Sequence, residues 1–317
     1  MKKKDLFKLI VISGIILLCG CAVLIGIQYV KNGGVTYNDE FPNTYLVGGD
    51  VDESILVKNN SSLYNDEIKL KGNLTISELE QIGTKELPFN GVLNGNGFTI
   101  TMDTDHALFG YIGERAIIRN VKIVYENTSL SENINEFSVL GVNNSGNISD
   151  VHLQIKQLNI TKCTNLKYGS MVITNYGKIN QCFVEYSLVN DTNTYKEDVL
   201  IGGVVYQNLG EISNVIVNPK FTNFPQILFG SQNETNIGVV VYLFVKKQKV
   251  ANCYSIYNTG EYKFKDRKDN AGSNLDIKAT VKLTRENIES LKFNEDLWDF
   301  NLDTFFPKLI QGEERRD

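Results

Sequence analysis

Apolar positions in this chain recur with a period of two, in short bursts separated by Gly, Asn and Asp. In Phe89-Asn90-Gly91-Val92-Leu93-Asn94-Gly95-Asn96-Gly97-Phe98-Thr99-Ile100-Thr101, the residues Phe98 and Ile100, with Met102, fall on one face of a strand. Asn94-Gly95-Asn96-Gly97 stands immediately before it. Asn-Gly pairs favour the positive φ of tight turns, so these residues taken alone spell a hairpin. The longer pattern points elsewhere.

Six-residue segments of one type begin at residues 118, 148, 179, 212 and 250, spaced by 30, 31, 33 and 38. They include Ile118-Arg119-Asn120-Val121, Ile148-Ser149-Asp150-Val151 and Ile179-Asn180-Gln181-Cys182, followed by Ile212-Ser213-Asn214-Val215 and Val250-Ala251-Asn252-Cys253. Each reads apolar, any, amide or Asp, apolar. Upstream of the middle three stand Asn144-Ser145-Gly146, Asn175-Tyr176-Gly177 and Asn208-Leu209-Gly210, each preceded by an apolar stretch. One unit is therefore strand, Asn-x-Gly corner, strand and a variable loop.

About thirty residues of short strands cannot bury a core alone, but stacked coils can. Successive coils about 4.8 Å apart form parallel strands, and equivalent Asn side chains stack in ladders. The expected fold is all-β: a right-handed parallel β-helix of about five or six coils, after an N-terminal transmembrane helix. The expected ladders are Asn144, Asn175 and Asn208 at the corners, and Asn120, Asn214 and Asn252 in the six-residue segments. Gly146, Gly177 and Gly210 are expected to supply positive φ, and Asn94-Gly95-Asn96-Gly97 becomes the corner of an early coil. A β-sandwich is the alternative, though it has no reason to repeat Asn-x-Gly-x-Ile-x-Asn in register.

Exposed solenoid ends need covers. Ser77-Glu78-Leu79-Glu80 is a capping-box pattern that predicts a short helix over about 78–82. Thr284 caps a second expected helix over 285–292, and Trp298, Phe300, Phe305 and Phe306 supply an apolar lid. Residues 263–276 read as a polar loop and 312–317 as a solvated tail. The organisation is thus 1–31 basic stretch and anchor, 32–84 leading segment and cap, 85–260 β-helix, and 261–317 C-terminal cap and tail.

The N-terminus sets the expected location. Lys2, Lys3, Lys4 and Lys8 precede an almost unbroken apolar run from Leu9 to Val30. At about 1.5 Å per residue this run spans a hydrocarbon core roughly 30 Å thick. The lysines stay cytoplasmic and place everything after Lys31 outside, as a single-pass protein of the bacterial cell membrane. Two alternatives stand: a cleaved signal peptide, and lipidation at Cys21 in Leu18-Cys19-Gly20-Cys21. A net charge of −5 gives no reason to expect nucleic acid.

Candidate chemistry is sparse. Cys182 and Cys253 fill the position of Val121, Val151 and Val215, as small buried residues. No Cys/His spacing suits zinc in the exported part, and no cofactor or catalytic site is expected. His106, in Asp103-Thr104-Asp105-His106, reads as part of a solvated turn. A β-helix lyase or glycosidase acting on glycans is the enzymatic alternative. It needs carboxylates across a cleft, and the outward positions of the six-residue segments carry none. Those positions put Lys122, His152, Phe183, Ile216 and Tyr254 in one column. His152, Phe183, Ile216 and Tyr254 form the candidate ligand face for a glycan or a surface protein, unless a loop or the C-terminal segment folds over it.

At these residues the chain resembles the GLUG-motif repeats of bacterial surface proteins. Gly203-Val204-Val205, Leu140-Gly141 through Asn144, Gly146 and Ile148, and Asn252-Cys253-Tyr254 carry the likeness. The 89–100 stretch with Leu108-Phe109-Gly110 is similar to an opening coil of such domains, and Leu297-Trp298 with Phe306-Pro307-Lys308-Leu309 to their ending. No copy holds the complete glycine, apolar, apolar, glycine signature. The resemblance implies a secreted or anchored right-handed β-helix, often part of adhesins or of IgA-cleaving peptidases, and it transfers no catalytic residue; the expected role is adhesion, recognition or scaffolding at the envelope.

Overall fold

The structure, a computed structural model, describes residues 44–48, 61, 64–78, 80–191, 198–224, 237–238, 240–244, 249–256, 275–280, 283–300 and 307–311. The expected anchor, Cys21, residues 263–274, Phe305, Phe306 and the charged tail lie outside them. Among the described residues no helix is long and apolar enough to cross a membrane.

From residue 109 the chain visits three sheets in a fixed order. Phe109–Ile112, Ile117–Tyr125 and Glu136–Phe137 are followed by Gly141–Asn144, Asn147–Asn159 and Leu166–Gly169. Val172–Asn175, Lys178–Val189 and Val199–Gly202 make the next round, and Val205–Asn208, Glu211–Thr222 and Ile237–Gly238 the one after. Each strand bonds in parallel to its equivalents one round away. This is the strand order of a parallel β-solenoid. The largest sheet begins earlier than expected: Thr44–Val47, Glu67–Leu70 and Leu74–Ile76 already belong to it. It also ends later, at Leu275–Thr280, so Leu275 and Asp276 are strand and not loop.

The interior is built by the repeat. Ile118, Ile148, Ile179, Ile212 and Val250 form one buried column; Val121, Val151, Cys182, Val215 and Cys253 form another. Cys163, Cys182 and Cys253 are buried thiols, and burial pushes the Cys182 thiol far up.

The long strands bend at one column. Asn120, Asp150, Gln181, Asn214 and Asn252 all have φ between 50° and 53° within otherwise extended chain. Asn and Asp tolerate this left-handed conformation better than other side-chain-bearing residues, which explains the amide-or-Asp position of the repeat. The expected ladder along this column is only partly formed. Asn252 Nδ2 donates to Asn214 Oδ1 at 2.7 Å, but Asn214 Nδ2 turns to Asn180 Oδ1 at 2.8 Å. Asn120 does not join it, and its Oδ1 is buried without a partner.

The 94–97 stretch is a corner within one coil. Val92–Asn94 and Thr99–Met102 both pair in parallel with Ile117–Tyr125, so they cannot face each other as a hairpin. Asn96 and Gly97 take the positive φ there, at 50° and 81°.

The Asn-x-Gly corners differ from expectation in one respect. Gly146, Gly177 and Gly210 do not have positive φ. They are required by close approach: a Cβ on Gly177 would lie 2.0 Å from the Gly146 carbonyl oxygen, and one on Gly210 2.1 Å from that of Gly177. The fully buried asparagines fix that approach. Asn144 Nδ2 donates to Asn175 Oδ1 at 2.7 Å, and Asn175 Nδ2 to Asn208 Oδ1 at 2.8 Å. Within its own corner, Asn144 Oδ1 also accepts from Gly146 N at 3.0 Å.

The expected helix over 78–82 is absent: Glu80 and Gln81 are not helical, and Ile82 forms a parallel bridge with Phe109. Sheet pairing takes the segment that the capping pattern had suggested.

These contacts generate a stability prediction. Gly177→Ala forces neighbouring corners apart and should cost about 1–3 kcal/mol or more, as overpacking does. Tyr176→Ala, one residue away and 55% exposed, should change stability by no more than about 0.5 kcal/mol. Chemical unfolding of both variants decides it; equal costs would contradict the close-approach account.

Candidate functional site

Strand register gathers the predicted ligand column and then covers it. Lys122, His152, Phe183, Ile216 and Tyr254 are successive partners in the long-strand sheet. His152 stacks on Phe183 with centroids 4.9 Å apart and planes at 28°. Phe183, Ile216 and Tyr254, however, are buried under the C-terminal segment. Together with Leu291, Phe293, Trp298 and Leu309 they form a second hydrophobic cluster outside the sheet wall. The column expected as an open ligand face is therefore a packed one. Its physical cause is the apolar cover that residues 283–300 and 307–309 supply, the folding-over of the C-terminal segment that was the alternative for this column.

Of the expected cover, the Thr284 cap, the helix, Trp298 and Phe300 lie within the described residues and take their expected places. Helix Arg285–Leu291 starts from a capping box in which Thr284 and Asn287 exchange hydrogen bonds, and ends at Lys292 with φ 51°. Phe293 meets Trp298 edge-on at 5.0 Å. Polar pins tie the lid to the left-handed column. Trp298 Nε1 donates to Asp150 Oδ1 at 3.0 Å, Asn252 Nδ2 to the Ser290 carbonyl at 2.7 Å, and Gln181 Nε2 to the Lys292 carbonyl. Burial pushes the Asp150 carboxyl up, against the hydrogen bonds from Trp298 and Ser149. Gly97 matters here too, because a Cβ on it would lie 2.1 Å from the Ile310 carbonyl oxygen.

Beside the lid lies a polar group that sequence reading missed. Glu185 occupies the outward position two residues beyond Phe183. It accepts from His152 Nε2 at 2.9 Å, Gln154 Nε2 at 3.4 Å and Asn218 Nδ2 at 3.2 Å. Counting period-two positions onward from Phe183 would have found it. Burial holds His152 below its ordinary value, with Glu185 opposing. Burial pushes Glu185 up, but the hydrogen bonds of His152 and Asn218 and the charge of Lys122 outweigh it, leaving the carboxyl low. The consistent state is a neutral imidazole donating from Nε2 to a carboxylate. With both oxygens engaged from neighbouring coils, Glu185 acts as a cross-coil clamp.

The partly exposed aromatic row lies on another sheet. Val172, Val205 and Val241 are register partners facing the core, so the residues after them, Ile173, Tyr206 and Tyr242, share the outward column. Tyr206 and Tyr242 stack with centroids 5.3 Å apart and planes at 13°. Lys167 Nζ sits 6.0 Å from the Tyr206 ring centroid and 3.0 Å from Glu136 Oε1. Tyr176, at the adjacent corner, is the most exposed large side chain of the region. The signal was present in the repeated Val204-Val205-Tyr206 and Val240-Val241-Tyr242. Among the described residues no cluster of His, Cys, Asp and Glu could hold a metal ion; His106, expected in a solvated turn, lies 3.9 Å from Asp105 with a half-buried side chain whose Nδ1 is buried.

Two measurements follow. Phe183→Ala should lose about 3–5 kcal/mol in chemical unfolding, the cost of an emptied core site, whereas an open face would lose little. Because His152 is held neutral below its unfolded value of 6.5, the unfolded chain binds the extra proton as pH falls through that value. Stability should therefore decline from pH 7.5 to 5.5, and His152→Gln should flatten that part of the profile. An unchanged slope in the variant would remove His152 from the pH response.

No family model, curated protein or solved structure matches this chain.

Proposed function

We propose that this chain is a membrane-anchored recognition or scaffolding module of the bacterial envelope. In this reading the solenoid is a right-handed parallel β-helix, held outside the membrane by Leu9–Val30, as the GLUG-like motifs suggest. The observation that carries it is the tyrosine row Tyr206–Tyr242 with Tyr176 and Lys167. Tyrosines present an apolar body and a polar tip at low conformational-entropy cost, which suits binding at a wet surface. A rigid stack keeps them at fixed spacing, and the partner class is an envelope or host glycan. Enzymatic action on such a glycan is supported less well, because the outward carboxylate Glu185 already has both oxygens bonded.

A binding screen of the full chain against glycans and cell-wall fractions tests this reading. The Tyr206→Ser, Tyr242→Ser double variant should bind its best ligand at least about tenfold more weakly, equivalent to ~1.4 kcal/mol, while melting unchanged. Undiminished binding would overturn the assigned surface. Protease added to intact cells should digest the solenoid; full protection would overturn the location.

A further inference from the structure

Polar columns behave differently on two sheets of the solenoid. On the long-strand sheet, polar side chains of neighbouring coils bond to one another: Gln154 and Asn218 to Glu185, and Ser213 and Asn214 to Asn180. Asn143, Thr174 and Gln207 also follow one another from coil to coil, as register partners on the tyrosine sheet. They are half-buried, and among the described residues their side chains form no hydrogen bond. Their donors and acceptors stay available at the surface. One position earlier in each strand stand Val142, Ile173 and Tyr206, with Tyr242 in the next coil. Tyr206 and Tyr242 stack one coil apart with planes at 13°. The result is a strip, apolar along one side and amide-rich along the other, repeating about every 4.8 Å. None of these residues is charged, and the neighbouring Lys167 is paired with Glu136 at 3.0 Å.

We propose, resting on the glycan reading above, that this strip binds a linear β-1,4-linked chain of N-acetylhexosamines lying along the stack axis. The source is the glycan strand of the cell wall. Three features of the strip select this ligand. Its lack of charge favours a neutral polymer. Its repeat matches an extended β-1,4-linked chain, which advances by nearly one coil spacing per sugar. Its two sides match the acetamido group, whose methyl packs on Val142 and Tyr206 while its N–H and carbonyl meet Asn143, Thr174 or Gln207. Successive sugars of such a chain turn opposite edges outward, so alternate acetamido groups face the strip. Apolar contact with a few fixed polar groups is the usual composition of a ligand site.

Calorimetric titration of the full chain with N-acetylglucosamine and its β-1,4-linked oligomers tests the proposal. The tetramer should bind at least about tenfold more tightly than the dimer, and cellotetraose, which lacks acetamido groups, at least about tenfold more weakly than the tetramer. Asn143 and Gln207 lie two coils apart, roughly 10 Å along the stack, too far for one sugar to touch both. Asn143→Ala and Gln207→Ala should therefore each weaken the tetramer, with melting unchanged. A monosaccharide as tight as the tetramer, or a loss confined to one of the two variants, would overturn the axial placement. Equal binding of cellotetraose would overturn the acetamido assignment. If another glycan binds this chain and these oligomers do not, the present inference alone fails; if no glycan binds, the reading beneath it fails as well.

Discussion

Neighbouring coils in this molecule approach so closely at the Asn-x-Gly corners that a single methyl group has no room. Everything else depends on that approach. With Gly177 within contact distance of the Gly146 carbonyl, Asn175 can reach both Asn144 and Asn208. The corner amides satisfy one another in an interior that excludes water, where an unpaired amide would cost about 1–3 kcal/mol. The same spacing lets every strand of one coil bond to the next, so a chain whose single repeat could not fold becomes stable by repetition.

Side chains outside the wall divide into two regimes. On the long-strand sheet the outward column is claimed by the C-terminal segment, which uses the left-handed residues as docking points. Asp150 stands where other coils carry an amide, and it is the residue that receives Trp298. On the sheet of Val205–Asn208 and Val241–Phe244 the outward tyrosines stay partly in solvent. In the proposed function, recognition chemistry lies on this sheet and not on the face where apolar residues are densest.

Much of the fold could be read from the chain because repetition amplifies weak signals. The columns Ile118 to Val250 and Val121 to Cys253, the Asn144–Asn175–Asn208 ladder and the Thr284 cap are visible as spacing alone. Other features depend on contacts between residues far apart in sequence. Whether Phe183 faces water depends on Leu291 and Phe293, about 110 residues away, and no local period encodes that. The roles of the glycine and amide columns were interchanged for a related reason. Both residue types permit positive φ, and only three-dimensional stacking separates the glycine needed for space from the asparagine needed for conformation. The 78–82 segment carried a helix cap, yet Ile82 pairs with Phe109, a tertiary override of a local preference.

Replacing Asn175 by Ala tests the dependence on the corner ladder most directly. The change removes the ladder acceptor of Asn144 and the ladder donor of Asn208 in a buried setting, leaving each only a longer contact within its own corner, so chemical unfolding should show a loss of about 2–4 kcal/mol. Asn143→Ala, a half-buried neighbour outside the ladder, should stay within about 0.5 kcal/mol. Equal and small losses in the two variants would contradict the account, since the coils would then be held together without the ladder.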